Sequence, residues 1–449
     1  MKLPTRLVIA FGLLLPSSLP AQQPTGATLT LGEALAITRK RNPEYRQALN
    51  RVYSASAQVS QGFGNFLPTL SAGLAFNGSQ SRRVTGEDDF GRPISLAMPI
   101  NFRGSTSSQW LSAGVTVFDG FANLNTYKAA KASQLEADVA ADATVWRLEA
   151  ETKRRFYDVL RAERLVELEQ RLLKERRDQL ANTERLFRAA AATPDDVLGA
   201  QADVANQELE SDRARGDERK ARLALKEQMG VEEDIAFRVA DELPTVFDPA
   251  ALQGVDLVAL ALETSPAVQQ LVAPSSAAGL RASAVRGSRW PTIQLNARVS
   301  RSVSLSSYDA LLEFDPKNRT FQFGLSLDWP LFTGFRTRSQ VATADVDARN
   351  AHEALRSGQL SVERAVRSAY IDLQNAYRSL ELAQRSAELS SERMRLARER
   401  YAIAAIDFTA LQQVILLAAQ ADRQFLDARF GFVRAVVNLE EAVGQPVRP

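Results

Sequence analysis

Between Phe121 and Thr193 the chain contains neither glycine nor proline, and from Phe335 to Gln445 it contains no proline and glycine only at 358, 431 and 444. Both stretches are rich in Ala, Leu, Glu, Arg and Gln, residues that lose little on entering a helix. A helix from about Gly120 to Arg188 would be roughly 100 Å long at 1.5 Å per residue. No compact globular domain has room for such an element. Val145, Thr152, Val159, Val166, Leu173, Leu180 and Phe187 recur at seven-residue steps in the first stretch. Val366, Leu373, Leu380, Ala387, Met394 and Tyr401 do so in the second. A strict seven-residue row is the seam of helices packed side by side.

The second stretch is a copy of the first. Glu149 and Glu363, Asp158 and Asp372, Phe187 and Tyr401, and Gly230 and Gly444 all stand 214 residues apart. The same offset relates Phe118-Asp119-Gly120-Phe121 to Phe332-Thr333-Gly334-Phe335. Upstream the offset is 223, relating Asn42-Pro43 to Ser265-Pro266 and Pro68 to Pro291. The length change therefore falls between Pro68 and Phe118. Internal repetition over some 200 residues makes the chain two copies of one unit. The expected order is a first repeat over 22–230, a linker over 231–256 and a second repeat over 257–449. Each repeat carries a shorter helix (43–66, 266–289) and a helical hairpin (120–192 with 195–230, 334–402 with 407–444). Pro274 is placed to kink the second of the shorter helices.

Four segments alternate with period two: 69–78, 110–118, 292–300 and 320–329. Leu70, Ala72, Leu74 and Phe76 alternate with Ser71, Gly73, Ala75 and Asn77, and Phe321, Phe323, Leu325 and Leu327 with Gln322, Gly324 and Ser326. One apolar face on strands of this length suits a tilted crossing of a bilayer. Trp110, Trp329, Phe118 and Phe332 are read as interface aromatics at strand ends. The polar segments 78–109 and 301–319 are read as loops outside the cell. Two soluble hairpins would alternate in the same way, but residues 1–21 argue for export. Lys2 and Arg6 precede the apolar run Leu7–Leu15, then Pro16, Ser17 and Ser18, with Ala21 before the expected cut, the layout of a signal peptide. No later run of 18 apolar residues exists, so a membrane crossing must use strands. Four strands cannot close alone, and an open edge in lipid is not viable, whereas three copies give twelve strands.

The usual catalytic and metal-binding residues are scarce. There is no cysteine and one histidine, His352, read as an ordinary helix-surface residue. That excludes disulfides, thiol catalysis, cysteine-based zinc or iron–sulfur sites, a multi-histidine metal site and lipidation of an N-terminal cysteine. Lys and Arg number 55 against 53 Asp and Glu, too balanced for a nucleic-acid binder acting through general electrostatics. No phosphate loop or nucleophile elbow is present. The expectation is no enzyme and no cofactor.

In the LGEAL opening (Leu31–Leu35) followed by Asn42-Pro43, the FDGF and FTGF steps from strand to helix, and the duplicated hairpins ending in MG or VG, the chain resembles the TolC-like outer-membrane efflux channel family. The resemblance covers about 29–446. It implies a mainly α fold with a membrane β-barrel portion: a homotrimer whose 12-strand barrel continues into a 12-helix periplasmic tunnel. It implies a passive exit duct in the outer membrane, extending into the periplasm and docking a periplasmic adaptor and an inner-membrane pump through its hairpin tips. Cargo is left open among drugs, metals, metabolites and proteins. A periplasmic coiled-coil scaffold without a pore is the competing reading.

Two sets of residues follow as candidates. Phe118, Gly120, Phe332 and Gly334 mark the strand-to-helix step. Thr193, Pro194, Asp195, Asp196, Ala402, Asp407, Ala410 and Gln413 mark the tips, the places for gating or adaptor docking. Family members often carry acids just after the second tip. The corresponding positions here are Ala410 and Gln413, so a charged entrance ring would have to use Asp196 or Asp407. Asp195 and Asp196 also sit where acids complement a helix N-terminus, which leaves capping as the alternative. The small residues Ala189–Ala192 and Ala402–Ala405 would let partner helices pack closely, or are simply good helix formers.

Overall fold

The computed structural model describes residues 28–87, 90–232, 237–252, 256–305, 319–403 and 405–447. The expected signal peptide and most of the expected loop 301–319 lie outside these residues. In chain order the elements are β1 (Thr28–Leu29), α1 (Leu31–Arg41), α2 (Pro43–Gly64), β2 (Thr69–Glu87), β3 (Pro93–Phe118), α3 (Ala122–Arg188) and α4 (Pro194–Met229). After them come β4 (Arg238–Val239), a 3-10 turn (Pro249–Leu252), α5 (Leu257–Thr264), α6 (Pro266–Gly287), β5 (Thr292–Leu305), β6 (Arg319–Asp328), α7 (Arg336–Ala402) and α8 (Phe408–Val443). The two long helices, α3 and α7, each have 67 residues, and the two return helices, α4 and α8, each have 36. Among the described residues no helix is long and apolar enough to cross a membrane. The described residues group into two compact units, one reaching Lys40 and including Arg155–Pro244, the other spanning Arg41–Arg154 and Thr245 onward.

The first unit holds the tip half of α3, α4, α1 and a two-residue parallel ladder in which Thr28 and Leu29 face Arg238 and Val239. Phe156, Val159, Leu160, Leu168, Leu172, Ala200, Ala214, Leu225 and Met229 are buried. Ion pairs cross from α3 to α4: Arg176 to Asp203 at 3.3 Å, Arg177 to Glu208 at 2.6 Å and Glu163 to Arg222 at 2.9 Å. Glu169 and Gln207 are buried together, the amide donating to the Glu169 carboxylate at 2.5 Å. Burying a carboxylate without such a partner would be costly. Along the seven-residue row, Thr152 and Val159 are fully buried, but Phe187 is exposed.

The second unit holds an antiparallel sheet in the order β2-β3-β5-β6, together with α2, α5, α6, α7, α8 and the first part of α3. Its helical core is Leu257, Ala261, Val268, Val366, Leu373, Leu380, Phe432, Val436, Leu439 and Val443. Val366, Leu373 and Leu380 are consecutive members of the seven-residue row. Lys153 and Arg154 on α3 reach Glu440 and Glu441 on α8 at 2.6 and 2.5 Å. Helix α6 runs through Pro274 without a break in its assignment.

The strands depart from the expectation. The segment 78–109, read as a loop, is largely strand: β2 has 19 residues, β3 has 26, and their ladder continues through Ser79↔Gly104 and Gln80↔Arg103. The reason is that backbone pairing does not need an apolar face. Across 78–82 and 103–108 the residues are almost all polar or glycine and show no alternation while the hydrogen-bond ladder goes on, whereas Ile94, Leu96, Met98, Ile100 and Phe102 do alternate, a period passed over because Pro93 and Pro99 interrupt it. β5 likewise continues to Leu305, past the expected end at 300. α3 stops at Arg188, short of 192, because Ala190 takes a left-handed conformation (φ 55°) and the Ala191 N–H donates to the Leu186 carbonyl at 2.8 Å. That bond closes a helix end in the Schellman manner.

Candidate functional site

The register sorts the sheet into two faces. Leu70, Ala113, Ala297 and Phe323 form one row across four strands, and Ala72, Leu111, Val299 and Phe321 the next. Their side chains share a face because strand residues two apart do. This face is bare: Leu70 is 71%, Phe323 78% and Leu325 70% exposed. The opposite face carries Ser71, Ser112, Arg298 and Gln322 in one row and Gly73, Trp110, Ser300 and Thr320 in the next. Ser71 and Ser112 share a hydrogen bond of 2.8 Å. One face is thus suited to hydrocarbon and the other to water. The outer sides of the edge strands β2 and β6 have no strand partner among the described residues.

Trp110 corrects its expected place. It lies within β3 rather than at a strand end, and it stands on the polar face. A Cβ on Gly73 would fall 2.2 Å from its ring, so the indole covers Gly73, and Arg298 Cζ lies over the ring, 5.2 Å from its centroid. The arrangement is a cation–π stack. The parity was legible: Trp110 shares its face with Ser112, not with Leu111.

The strand-to-helix steps are built twice with one geometry. Gly120 and Phe121 have φ of 67° and 67°, and Gly334 and Phe335 have 60° and 65°. Two successive left-handed residues turn the chain from strand to helix, at a cost of about 1–2 kcal/mol for each phenylalanine. Each Phe rests edge-on against the first aromatic of its motif: Phe118–Phe121 at 5.5 Å and Phe332–Phe335 at 5.9 Å. Asp119 Oδ2 then accepts from the Asn123 N–H at 2.7 Å and Thr333 Oγ1 from the Thr337 N–H at 3.2 Å, capping α3 and α7. The two glycines differ in their surroundings. A Cβ on Gly120 would lie 2.4 Å from the Gly287 carbonyl oxygen, whereas Gly334 faces open space.

At the first tip Thr193 caps α4 in a reciprocal box. Its Oγ1 accepts from the Asp196 N–H at 3.2 Å, and Asp196 Oδ2 accepts from the Thr193 N–H and hydroxyl, both at 2.8 Å. Pro194 occupies the first helical turn, where its missing N–H costs nothing. Asp195 is exposed and Asp196 half-buried. At the second tip Asp407 is itself the cap, accepting from the Ala410 N–H at 2.6 Å, while Ala402, Ala410 and Gln413 are exposed. Thr193 and Asp407 are repeat partners, so the caps are equivalent positions with different chemistry. The carboxylates of Asp196 and Asp407 are both engaged in capping. Buried Tyr401 packs against Phe408 at 6.2 Å.

Sequence reading missed two features near the second tip. Leu382, Leu389, Leu396 and Ile403 stand at seven-residue steps on α7 and are all exposed. The signal was present, but the row chosen as the seam was another one. Arg395 forks between Glu392 and Glu399, each at 2.6 Å. The hydrogen bond from Arg395 lowers the Glu392 carboxyl, and in return the guanidinium is raised.

Comparison with known proteins is consistent with this geometry. A family model described as outer membrane efflux protein matches residues 34–231 and 257–445. Protein CyaE of Bordetella pertussis is 26% identical over 350 residues, covering 77% of this chain and 69% of that protein. The structure of CusC, described in connection with transmembrane channel formation, superposes with a TM-score of 0.78 at 16% identity, covering 95% of this chain and 96% of that one. A membrane protein from Pseudomonas aeruginosa gives 0.77 at 21% identity, covering 92% and 90%. At these identities the structural likeness speaks for the fold.

Proposed function

The chain belongs to the outer membrane efflux protein family, and we propose that it is the passive exit duct of a tripartite efflux or type I secretion system. The observation that carries the reading is the open four-stranded sheet with a bare apolar face, a polar opposite face and two free edges. In lipid such edges must be paired, and a single chain has nothing to pair them with. Three copies joined from β6 to β2 give twelve strands, an allowed barrel size. The apolar face then meets lipid. Ser71, Ser112, Arg298, Gln322 and the Trp110–Arg298 stack line a wet lumen.

The duct does no chemistry and couples no energy. It offers a path, and the hairpin tips decide when the path is open. Thr193, Pro194, Asp195, Asp196, Ala402, Asp407, Ala410 and Gln413 lie where an adaptor would dock and where the tips would part. Exposed Leu382, Leu389, Leu396 and Ile403 support close association of the α7–α8 hairpin with another hairpin, since a bare heptad seam in water seeks a partner. The leader of residues 1–21 would deliver the chain across the inner membrane, and the folded duct would sit in the outer membrane. The test is conductance in planar bilayers. Purified protein should give discrete steps of uniform size; membrane-bound protein without conductance in any state would contradict the duct.

A further inference from the structure

The polar face of the sheet carries almost no charge. From Thr69 to Ser79 on β2, Gly104 to Thr116 on β3, Thr292 to Ser302 on β5 and Thr320 to Asp328 on β6, that face has two ionisable residues, Arg298 and Asp328. Asp328 pairs with Thr292, six residues before Arg298 on β5. At roughly 3.3 Å per residue the acid stands about 20 Å from the arginine along the strands. In its own row Arg298 has Ser112 on one side and Gln322 on the other. Its side chain is exposed, and no carboxylate pairs with it among the described residues.

The guanidinium is nonetheless held in place. Trp110 pairs with Ser300, which makes it the diagonal neighbour of Arg298, and the cation lies over its ring. Diagonal positions on neighbouring strands are within reach of long side chains. Trp110 has room to lie there because Gly73, its direct partner on β2, has no side chain. Stacking orients a guanidinium without neutralising it, since the indole carries no net charge. The polar wall therefore holds one fixed cation with no acid near it.

We infer that Arg298 sets the charge preference of the barrel, where three copies form a ring of cations that favours anionic over cationic solutes. The inference rests on the duct reading, because the three arginines share one lumen only in the closed trimer. Twelve strands about 4.8 Å apart and tilted by roughly 40° close at a radius of about 12 Å. The Debye length is about 8 Å at physiological ionic strength and about 30 Å at 10 mM. In dilute salt the field of the ring reaches the axis of the lumen. In physiological salt it acts on a layer along the wall.

Reversal potentials in planar bilayers under a salt gradient test this. At about 10 mM salt, Arg298→Gln should lower the chloride-to-potassium permeability ratio at least about threefold, and Arg298→Glu should lower it further. In 1 M salt, where the Debye length is about 3 Å, the variants should differ little from wild type. Arg298→Lys keeps the charge without the planar stack and should retain the wild-type ratio. Charges at the hairpin tips are common to all these proteins, so the differences belong to position 298. Because the chain has no cysteine, Arg298→Cys supplies a single thiol that can be charged after the channel has inserted. A cationic methanethiosulfonate should raise the ratio and an anionic one lower it, on the same folded molecule. An unchanged ratio in Arg298→Gln, or no response of the thiol variant to either reagent, would overturn the inference. Loss of the preference in Arg298→Lys would overturn it equally. A protein that conducts with a ratio indifferent to position 298 refutes this inference alone. A protein that neither inserts nor conducts refutes the duct itself.

Discussion

At the scale of single residues, the repeat gives paired experiments inside one chain. Gly120 and Gly334 occupy the same step and the same left-handed backbone, but only Gly120 has a carbonyl oxygen against its Cα. Gly334→Ala should cost about 1 kcal/mol of backbone strain. Gly120→Ala adds a clash with Gly287 and should cost on the order of 3 kcal/mol or more. Thermal unfolding of the two variants checks this, and equal losses would show that strain alone sets the glycine requirement. The tip caps form a second pair. Thr193→Ala and Asp407→Ala each remove an N-cap and should each cost about 1 kcal/mol. If the same acids also set a charged entrance, Asp196→Ala and Asp407→Ala will shift the cation-to-anion permeability ratio measured by reversal potential. Loss of stability with an unchanged ratio would leave Asp196 and Asp407 as caps only.

At the scale of elements, what was legible depended on whether burial imposed a period. The long helices could be read because Val366, Leu373 and Leu380 must face a core, and they do. The FDGF and FTGF steps could be read because their glycines punctuate the repeat. Around Ser79 and Gly104 the β2–β3 pairs are polar on either side and show no period, but Ile94, Leu96, Met98, Ile100 and Phe102 alternate, so the start of β3 was legible and was missed. The short pieces β1, β4 and α5 carry too few residues to show any period. The Glu169–Gln207 pair was invisible because a buried carboxylate looks like any surface glutamate in a helix rich in them. The exposed row on α7 is the element with most to predict. Leu389 is 66% exposed, so Leu389→Glu should leave the fold of a chain intact by circular dichroism. It should nonetheless weaken assembly, with a rise in lower-mass species on dilution. Assembly as stable as wild type would mean that this stripe meets no other hairpin.

At the scale of the whole molecule, the claim is that one chain is an incomplete barrel made whole by two others. The sheet has four strands and two free edges among the described residues, and its apolar face is bare. The long helices alone would be compatible with a periplasmic scaffold. The two-faced sheet and membership in the outer membrane efflux protein family set the duct above it. The most direct measurement is the mass of the protein extracted from an outer-membrane fraction, corrected for bound detergent. With a chain of 49.3 kDa less its leader, the account predicts a detergent-dependent particle of roughly 140 kDa, three chains and twelve strands. A monomer or dimer that stays in solution without detergent would contradict it and return the chain to the periplasmic scaffold.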